Sequence, residues 1–399
     1  MKILILTDIF PFQKGEEFLE TEILVWSKNP SVDVDILPLT KTKNKRSLPD
    51  TIKLKEITKN SWSIKKLAEV FIDELFFLKK GKKLDLKTFY IALYESLEYT
   101  KIFSNLKYHF SKNHYDIVYS YWNEKSSYAA ADLNQFVISR VHRYDLYCEN
   151  KYKSYMPLKC QFVNKISCIA TLTEEASEYF SETYKYDRNK IIVSPLGIDC
   201  TKGKFFKEFD HNTKVIISVS NCVHVKRIDL IINFIKTLQE ETKYDIKWIH
   251  FGDGELFEDL NAQAINKLKP NSFEFRGYIS NTDLLDYYSN YQVDLFVNLS
   301  DSEGVPVSIM EALYFGVPVV ARNVGGNSVL LKNENGSLLE DISDFKCALP
   351  EIALLLNDSF SNKEKRRAFI ENNFNSTINY QDFIDYLKNF VKKAKDEEI

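Results

Sequence analysis

The sequence predicts an α/β protein of two doubly wound domains, each a parallel sheet covered by helices. Three observations predict it. Short apolar strand patterns alternate with helical ones through the first half, and the alternation starts afresh in the second. Between the halves, at Ile191–Asp199, an apolar run ends in Ser-Pro-Leu-Gly-Ile-Asp, where proline and glycine punctuate the chain. The length, 399 residues, is too great for one ordinary domain and suits two.

The first half opens on a buried strand at Lys2–Leu6. A loop containing Gly15 follows, then a helical stretch around Glu16–Ser27 and a strand at Val32–Leu37. Lys41–Asn60 is lysine-rich and holds Pro49, which predicts a surface loop. Helices fill Ile64–Phe110, and strand signals return at Asp116–Tyr121, Phe136–Val141 and Ile166–Thr171. In the second half strands are predicted at Val215–Ser220, Ile246–Phe251, Ser272–Phe275, Val293–Val297 and Pro318–Ala321. Helices lie between them at Asp229–Thr242 and Thr282–Asn290. The reading gives domains over 1–195 and 196–379, with a last helix, 380–399, packing back on the first. Ligands of such sheets bind at the C-terminal strand ends, and here in the cleft between domains.

Composition excludes several classes. Net charge is −3, without the unbalanced Lys and Arg that a general nucleic-acid binder needs. Hydrophobic residues make up 44% and charged ones 27%, so the chain has the means to build cores. No apolar run approaches the ~20 residues that span a bilayer. The opening apolar stretch is short and broken by Asp8, so it reads as a strand rather than a signal peptide. The cysteines have no Cys-x-x-Cys spacing and read as reduced thiols of a cytoplasmic protein. Asp33 and Asp35 alternate with apolar residues, which predicts a solvated strand face and no bound metal.

The chemistry concentrates in Asp294–Leu331, DLFVNLSDSEGVPVSIMEALYFGVPVVARNVGGNSVLL. A strand runs into the loop SDSEGVPV, and a helix starts at Ser308 with Pro306 tolerated near its first turn. Backbone N–H groups around Val305, Val307 and Ser308 then converge, and with the helix dipole they favour a diphosphate. Glu303 lies in the loop and Glu311 on the helix, two carboxylates able to accept hydrogen bonds from sugar hydroxyls.

This Glu-x7-Glu block resembles the donor-site signature of retaining GT-B glycosyltransferases, in particular their family four. ISVSNCVHVKRIDLII, IHFGDGEL, FRGYIS and IVSPLGID are similar to that family's segments in the second domain and linker. FPFQKGEEFLETEI and VHRYDLY resemble its segments in the first. The resemblance implies a GT-B fold, two Rossmann-like domains facing a central cleft. It implies that Glu311 binds the ribose hydroxyls and Glu303 the transferred sugar. Gly304, Val305, Pro306 and Val307 line the sugar and diphosphate pocket, and Lys226 neutralises the diphosphate. Tyr278 faces the base, Gly252 and Gly254 form the glycine turn, Gly15 approaches the phosphates and His142 sits near the reacting sugar.

Two positions depart from the pattern. Asn221 stands where the family usually has Arg, which leaves Arg227 or Arg143 to supply that charge. Val329 stands where many members carry Glu after the paired glycines Gly325 and Gly326. The implied partners are a nucleotide sugar, with UDP the default, and a glycan or lipid-linked acceptor. No metal or other cofactor is implied. The competing readings are a non-catalytic nucleotide-sugar-binding partner and a sugar-nucleotide hydrolase or epimerase.

Ser63–Lys87 carries Leu67, Val70, Phe71, Leu75 and Phe76 beside Lys65, Lys66, Lys79, Lys80, Lys82 and Lys83. A core-facing helix with a solvated end accounts for this pattern. A basic amphipathic helix at the inner face of a cell membrane is the alternative.

Overall fold

The computed structural model describes residues 1–397 apart from 13–15, 17, 44, 58–61, 202, 204–212, 341 and 358. The chain forms two compact units: Met1–Pro195 with the residues from Thr377 on, and Leu196–Ser376.

The first unit holds β1 (Lys2–Thr7), β2 (Asp33–Pro38), β3 (Ile52–Leu54), β4 (Ile117–Ser120), β5 (Val137–Arg140), β6 (Cys168–Thr171) and β7 (Ile191–Val193). They form one parallel sheet in the order β3-β2-β1-β4-β5-β6-β7. Successive residues of β1 serve opposite faces, the period of a pleated strand. Leu4 and Leu6 enter one core with Leu37, Val118 and Ile169, whereas Ile3 and Ile5 enter the other with Val34, Ile36 and Tyr119. That is why β1 reads as an unbroken apolar run: helices cover both faces. The second core also takes Phe383, Ile384 and Leu387 of the helix Ser376–Glu397.

The second unit repeats the plan. It contains β8 (Thr213–Val219), β9 (Asp245–Phe251), β10 (Phe273–Phe275), β11 (Leu295–Asn298), β12 (Val319–Arg322) and β13 (Gly336–Leu339). These pair in parallel in the order β10-β9-β8-β11-β12-β13. The helix Ile228–Glu241 covers this sheet with Ile231, Ile232, Ile235 and Leu238 against Ile216, Trp248 and Leu295.

Two sequence expectations are corrected, and one strand is added. Lys41–Asn60 is not loop throughout, because Ile52–Leu54 adds β3 beside β2. With a single buried residue, Ile52, that strand is too short to show a pattern. Gly336–Leu339 likewise adds β13 to the edge of the second sheet. The face of Asp33 and Asp35 is not solvated as a whole. Asp33 is part-exposed and pairs with Lys53 at 2.8 Å, but Asp35 is fully buried. It accepts the Tyr115 hydroxyl at 2.8 Å and lies 3.3 Å from Lys55 of the strand's own neighbourhood. The cause is β3, which turns β2 from an edge strand into an inner one. Among the described residues no helix is long and apolar enough to cross a membrane.

Candidate functional site

The site is built where β11 ends. All four residues of this strand are buried, and the chain must turn outward at its C-terminal end. Asn298 makes the turn: its Oδ1 accepts the Ser300 N–H at 3.1 Å, and its Nδ2 donates to Glu303 Oε1 at 3.1 Å. Lys226 reaches the same oxygen from the turn that follows β8, with Nζ 2.7 Å away. Burial raises the Glu303 carboxyl, but Lys226 and the hydrogen bonds from Ser300 and Asn298 outweigh it and leave the group below its ordinary value. Glu303 is therefore an anion held ready, with one oxygen already claimed. Pro306 caps the helix Val307–Tyr314 that follows. The first amides of a helix have no partner within it and form its positive end, so Val307 and Ser308 offer N–H groups to an anion.

The paired glycines belong to this loop. Gly326 N–H donates to the Gly304 carbonyl at 2.6 Å. Gly325 has φ +52°, and a Cβ there would lie 1.9 Å from the Glu303 carbonyl oxygen. Only a residue without a side chain lets the segment after β12 lie on the Glu303–Gly304 main chain. Gly252 does similar work at the end of β9. It bridges to Gly277 at 2.8 Å, and a Cβ would meet the Ser220 carbonyl at 1.7 Å. Gly254 follows in the same turn, above the Cys222 backbone. Gly252 thus ties the turn carrying the base-facing candidate Tyr278 to the turn after β8.

Glu311 is the fifth residue of the helix Val307–Tyr314 and is buried. Burial pushes its carboxyl up to about 7, against the opposing hydrogen bond from Asn281 Nδ2. Asn281 was not singled out in the sequence, although a signal was present. Ser280 and Asp283 spell a helix start, and Ser280 Oγ accepts the Asp283 N–H at 3.1 Å, which puts Asn281 in the first turn. Tyr278 precedes this helix and is half exposed.

Arg227 does not stand as a spare cation. It occupies the left-handed region, φ +49°, as the residue ahead of the helix Ile228–Glu241. Its guanidinium is held by Asp229 at 3.0 Å and by Asp301 at 3.1 Å, the latter shared with Arg322. Asn221 is exposed at the end of β8. In the second unit the structure thus brings Lys226 directly onto Glu303, whereas Arg227 turns to its own acids.

The first unit carries its own polar cluster. Gly15 lies outside the described residues. Glu16 faces the turn after β1, where its carboxylate accepts the N–H groups of Ile9 at 2.8 Å and Phe10 at 2.6 Å and the Trp122 indole at 2.5 Å. His142 follows β5 with its ring 4.8 Å from both Tyr121 and Trp122, centre to centre. Burial and then the charge of Arg140 push it down to about 3, so the ring is neutral, and its Nε2 has no hydrogen-bond partner among the described residues. Asp145 orients this segment, accepting the backbone N–H of His142 at 2.6 Å and of Asn123 at 2.6 Å. Asp8 is pushed up to about 7 by burial and then by Glu124 and Glu16. Beside it Asn123, Glu124, Lys125, Tyr144 and Lys151 line a cavity of about 210 Å³. Glu16, Asp8 and Asp145 were given no role from the sequence, although Glu16 and Asp145 lie in the segments FPFQKGEEFLETEI and VHRYDLY.

The family described as glycosyl transferases group 1 matches residues 201–376. The O-antigen biosynthesis glycosyltransferase WbnH of Escherichia coli is 31% identical over 129 residues, 32% of this chain and 34% of that protein. The alpha-monoglucosyldiacylglycerol synthase of Streptococcus pneumoniae is 28% identical over 232 residues, 56% of this chain and 49% of that protein. The match thus spans half or less of each of these relatives. Among solved structures, HepE of Anabaena in complex with UDP-glucose superimposes with a TM-score of 0.68 at 13% identity, over 98% of this chain and 100% of that one. That likeness establishes the fold over the whole length.

Proposed function

We propose, from the match of residues 201–376 to the glycosyl transferases group 1 family, that the chain is a retaining glycosyltransferase. It moves a hexose or N-acetylhexosamine from a nucleotide sugar, with UDP as the nucleotide, to a glycan or lipid-linked acceptor. The setting is the building of a surface polysaccharide or glycoconjugate. The observation that carries the reading is the Lys226–Glu303 pair at the head of the helix Val307–Tyr314, with Glu311 buried one turn further along it.

Each part has a task in that reaction. Lys226 leaves the Glu303 oxygen for the diphosphate, and the helix amides join it. Glu303, freed of one partner, accepts hydrogen bonds from the hydroxyls of the transferred sugar. Glu311, held by Asn281, accepts those of the ribose. The bond between the anomeric carbon and the phosphate oxygen breaks as the acceptor oxygen bonds to the same carbon from the same side. The acceptor proton passes to the departing phosphate oxygen. Catalysis then rests on neutralising the charge that grows on the diphosphate and on fixing the reactants in line. In the first unit, neutral His142, Asp8 and Glu124 are the groups offered to the acceptor side, and buried Asp145 positions the His142 segment. UDP sugars as donors are supported by relatives such as the UDP-Gal:alpha-D-GlcNAc-diphosphoundecaprenol alpha-1,3-galactosyltransferase of Escherichia coli, which is 27% identical over 226 residues.

The test is a thermal-shift panel of UDP, GDP, ADP and their sugar derivatives, on wild type and Glu311→Ala. Ligand that binds only the folded chain raises the midpoint by mass action. A rise with UDP and its sugars that Glu311→Ala abolishes is the expected result. No rise with any of them sinks the donor site, and a rise without sugar transfer to any acceptor leaves a nucleotide-sugar-binding partner.

A further inference from the structure

The sheet of the second unit carries a chain of polar side chains inside an apolar core. Alternate residues share a face of a strand, so Trp248 and His250 of β9 look the same way. Ser218 of β8 lies opposite His250 in the parallel ladder. All three are buried, as is Cys222 in the turn just after β8. Around Trp248 and Cys222 the core consists of Ile216, Ile231, Ile232 and Leu238.

Polar groups persist in such a place when each is hydrogen-bonded. Trp248 Nε1, which can only donate, reaches Ser218 Oγ at 3.0 Å. Ser218 Oγ lies 2.9 Å from His250 Nδ1, and His250 Nε2 lies 3.3 Å from Cys222 Sγ. Burial pushes the His250 ring down to about 4, against a hydrogen bond to the Ser220 backbone. The ring is therefore neutral, and only one of its nitrogens holds a proton. The neighbours decide which. Among the described residues the Ser218 proton has no acceptor but Nδ1. The Ser220 N–H is taken by the Phe251 carbonyl at 3.0 Å, so it is the Ser220 carbonyl that accepts from the ring. The proton thus sits on Nε2, and the chain runs one way, from Trp248 through Ser218 and His250 to the turn after β8.

That turn delivers Lys226. Ser220 and Cys222 flank Asn221, and Lys226 follows one turn later. The Cys222 thiol is pushed up to about 11 by burial and then by Asp253, so it serves as an anchor and not as a nucleophile. Cys222 is also held by the turn after β9. Its N–H donates to the Asp253 carbonyl at 2.9 Å, and its carbonyl accepts the Leu256 N–H at 3.0 Å. From this anchor the turn closes on itself, with Val223 N–H on the Asn221 carbonyl at 2.9 Å and Lys226 N–H on the Val223 carbonyl at 3.0 Å.

We propose that His250 is a positioning residue of the donor site: as the Nε2–H tautomer it clamps Ser220 and Cys222, and through their turn it sets where Lys226 meets Glu303. The role rests on the donor-site reading of Lys226; the tautomer does not.

Two measurements on the full chain test it. Nitrogen NMR with labelled histidine should show a bare Nδ1 and a protonated Nε2 at His250, unchanged from pH ~5 to ~8, where an ordinary imidazole titrates. A protonated Nδ1 overturns the chain. Calorimetry with UDP tests the role, each variant being compared where its melting curve shows it fully folded. His250→Phe keeps a ring but loses both nitrogens, and should weaken UDP binding about tenfold, the order of one hydrogen bond to a charged group. His250→Gln, whose amide N–H can stand in for Nε2–H, should restore most of the affinity. In a Lys226→Ala background His250→Phe should cost nothing further, whereas a merely structural role would weaken both backgrounds alike. Ser218→Ala, a smaller change, should act in the same direction and keeps the test open if His250→Phe does not fold. Unchanged UDP affinity in His250→Phe, or equal losses in the two backgrounds, overturns the role and leaves the donor site standing. A wild type that binds no nucleotide sinks the donor site and the role with it, while the tautomer would read the same.

Discussion

The two sheets are wound alike, yet their crevices are furnished in opposite ways. In each, the first strand lies beside the fourth, β1 by β4 and β8 by β11, and the chain leaves in opposite directions from that point. In the first unit the amides after the first strand are already occupied, since Ile9 and Phe10 donate to Glu16. In the second unit the turn after the first strand delivers a cation instead, Lys226, and the turn after the fourth delivers Glu303 and the open head of a helix. The winding supplies a crevice in both cases. Whether it becomes a ligand site depends on whether the chain fills its own anion-binding groups.

The largest effect that would break this comparison is on turnover. Lys226→Ala should lower kcat by roughly 10²–10³, the ~2.7–4 kcal/mol typical of one preorganised charge-stabilising group. Its melting midpoint should also fall, because buried Glu303 loses its cation and keeps only Asn298 and Ser300, so turnover is compared where the variant is fully folded. Near-normal turnover, measured with saturating donor, would remove Lys226 from the mechanism. On the other side, Glu16→Ala should cost about 3 kcal/mol of stability, since it strands buried N–H groups that now meet a charged acceptor. Denaturant unfolding checks this, and an undiminished midpoint would mean that the two crevices are not opposites after all.

Smaller effects sharpen the second site. Gly325→Ala should cost roughly 1–3 kcal/mol, because φ +52° and a Cβ 1.9 Å from the Glu303 carbonyl force the loop aside. A weakened nucleotide-sugar affinity should accompany the lower midpoint. Glu311 predicts a pH dependence. Its carboxyl is pushed up to about 7 by burial, and the ionised form is the stronger acceptor for ribose hydroxyls, with both oxygens free of a proton. Binding therefore expels a proton below that value, and affinity for UDP-glucose should rise with pH, by at most about tenfold per unit, then level off above about 7. Glu311→Gln should flatten the profile, as calorimetric titration at several pH values would reveal.

Much of this was legible in the residues. Strands buried on both faces, such as β1 and β11, announce themselves as apolar runs, and the sequence around Glu303 and Glu311 predicted the loop and helix that follow β11. What escaped notice did so for physical reasons. β3 and β13 are edge strands of 3 and 4 residues, too short for a period to emerge. Asp35 looked solvated because its burial depends on β3 and on Tyr115, 80 residues away in sequence. Asn281 and Glu16 act through single long-range or turn-borne hydrogen bonds, and no spacing rule encodes those. The ion pairs of Arg227, one of the two candidates for the charge missing at Asn221, were not legible because Asp301 reaches it only when the turns after β8 and β11 meet.

The carboxylate of Glu16 also fixes a stoichiometry. A chain with two crevices of the same winding would seem to have room for two nucleotides, one per sheet. Because one of its own side chains permanently occupies the amides of the first, a nucleotide titrated against this protein should saturate at one equivalent. Raising the concentration of inorganic phosphate should then compete at a single place.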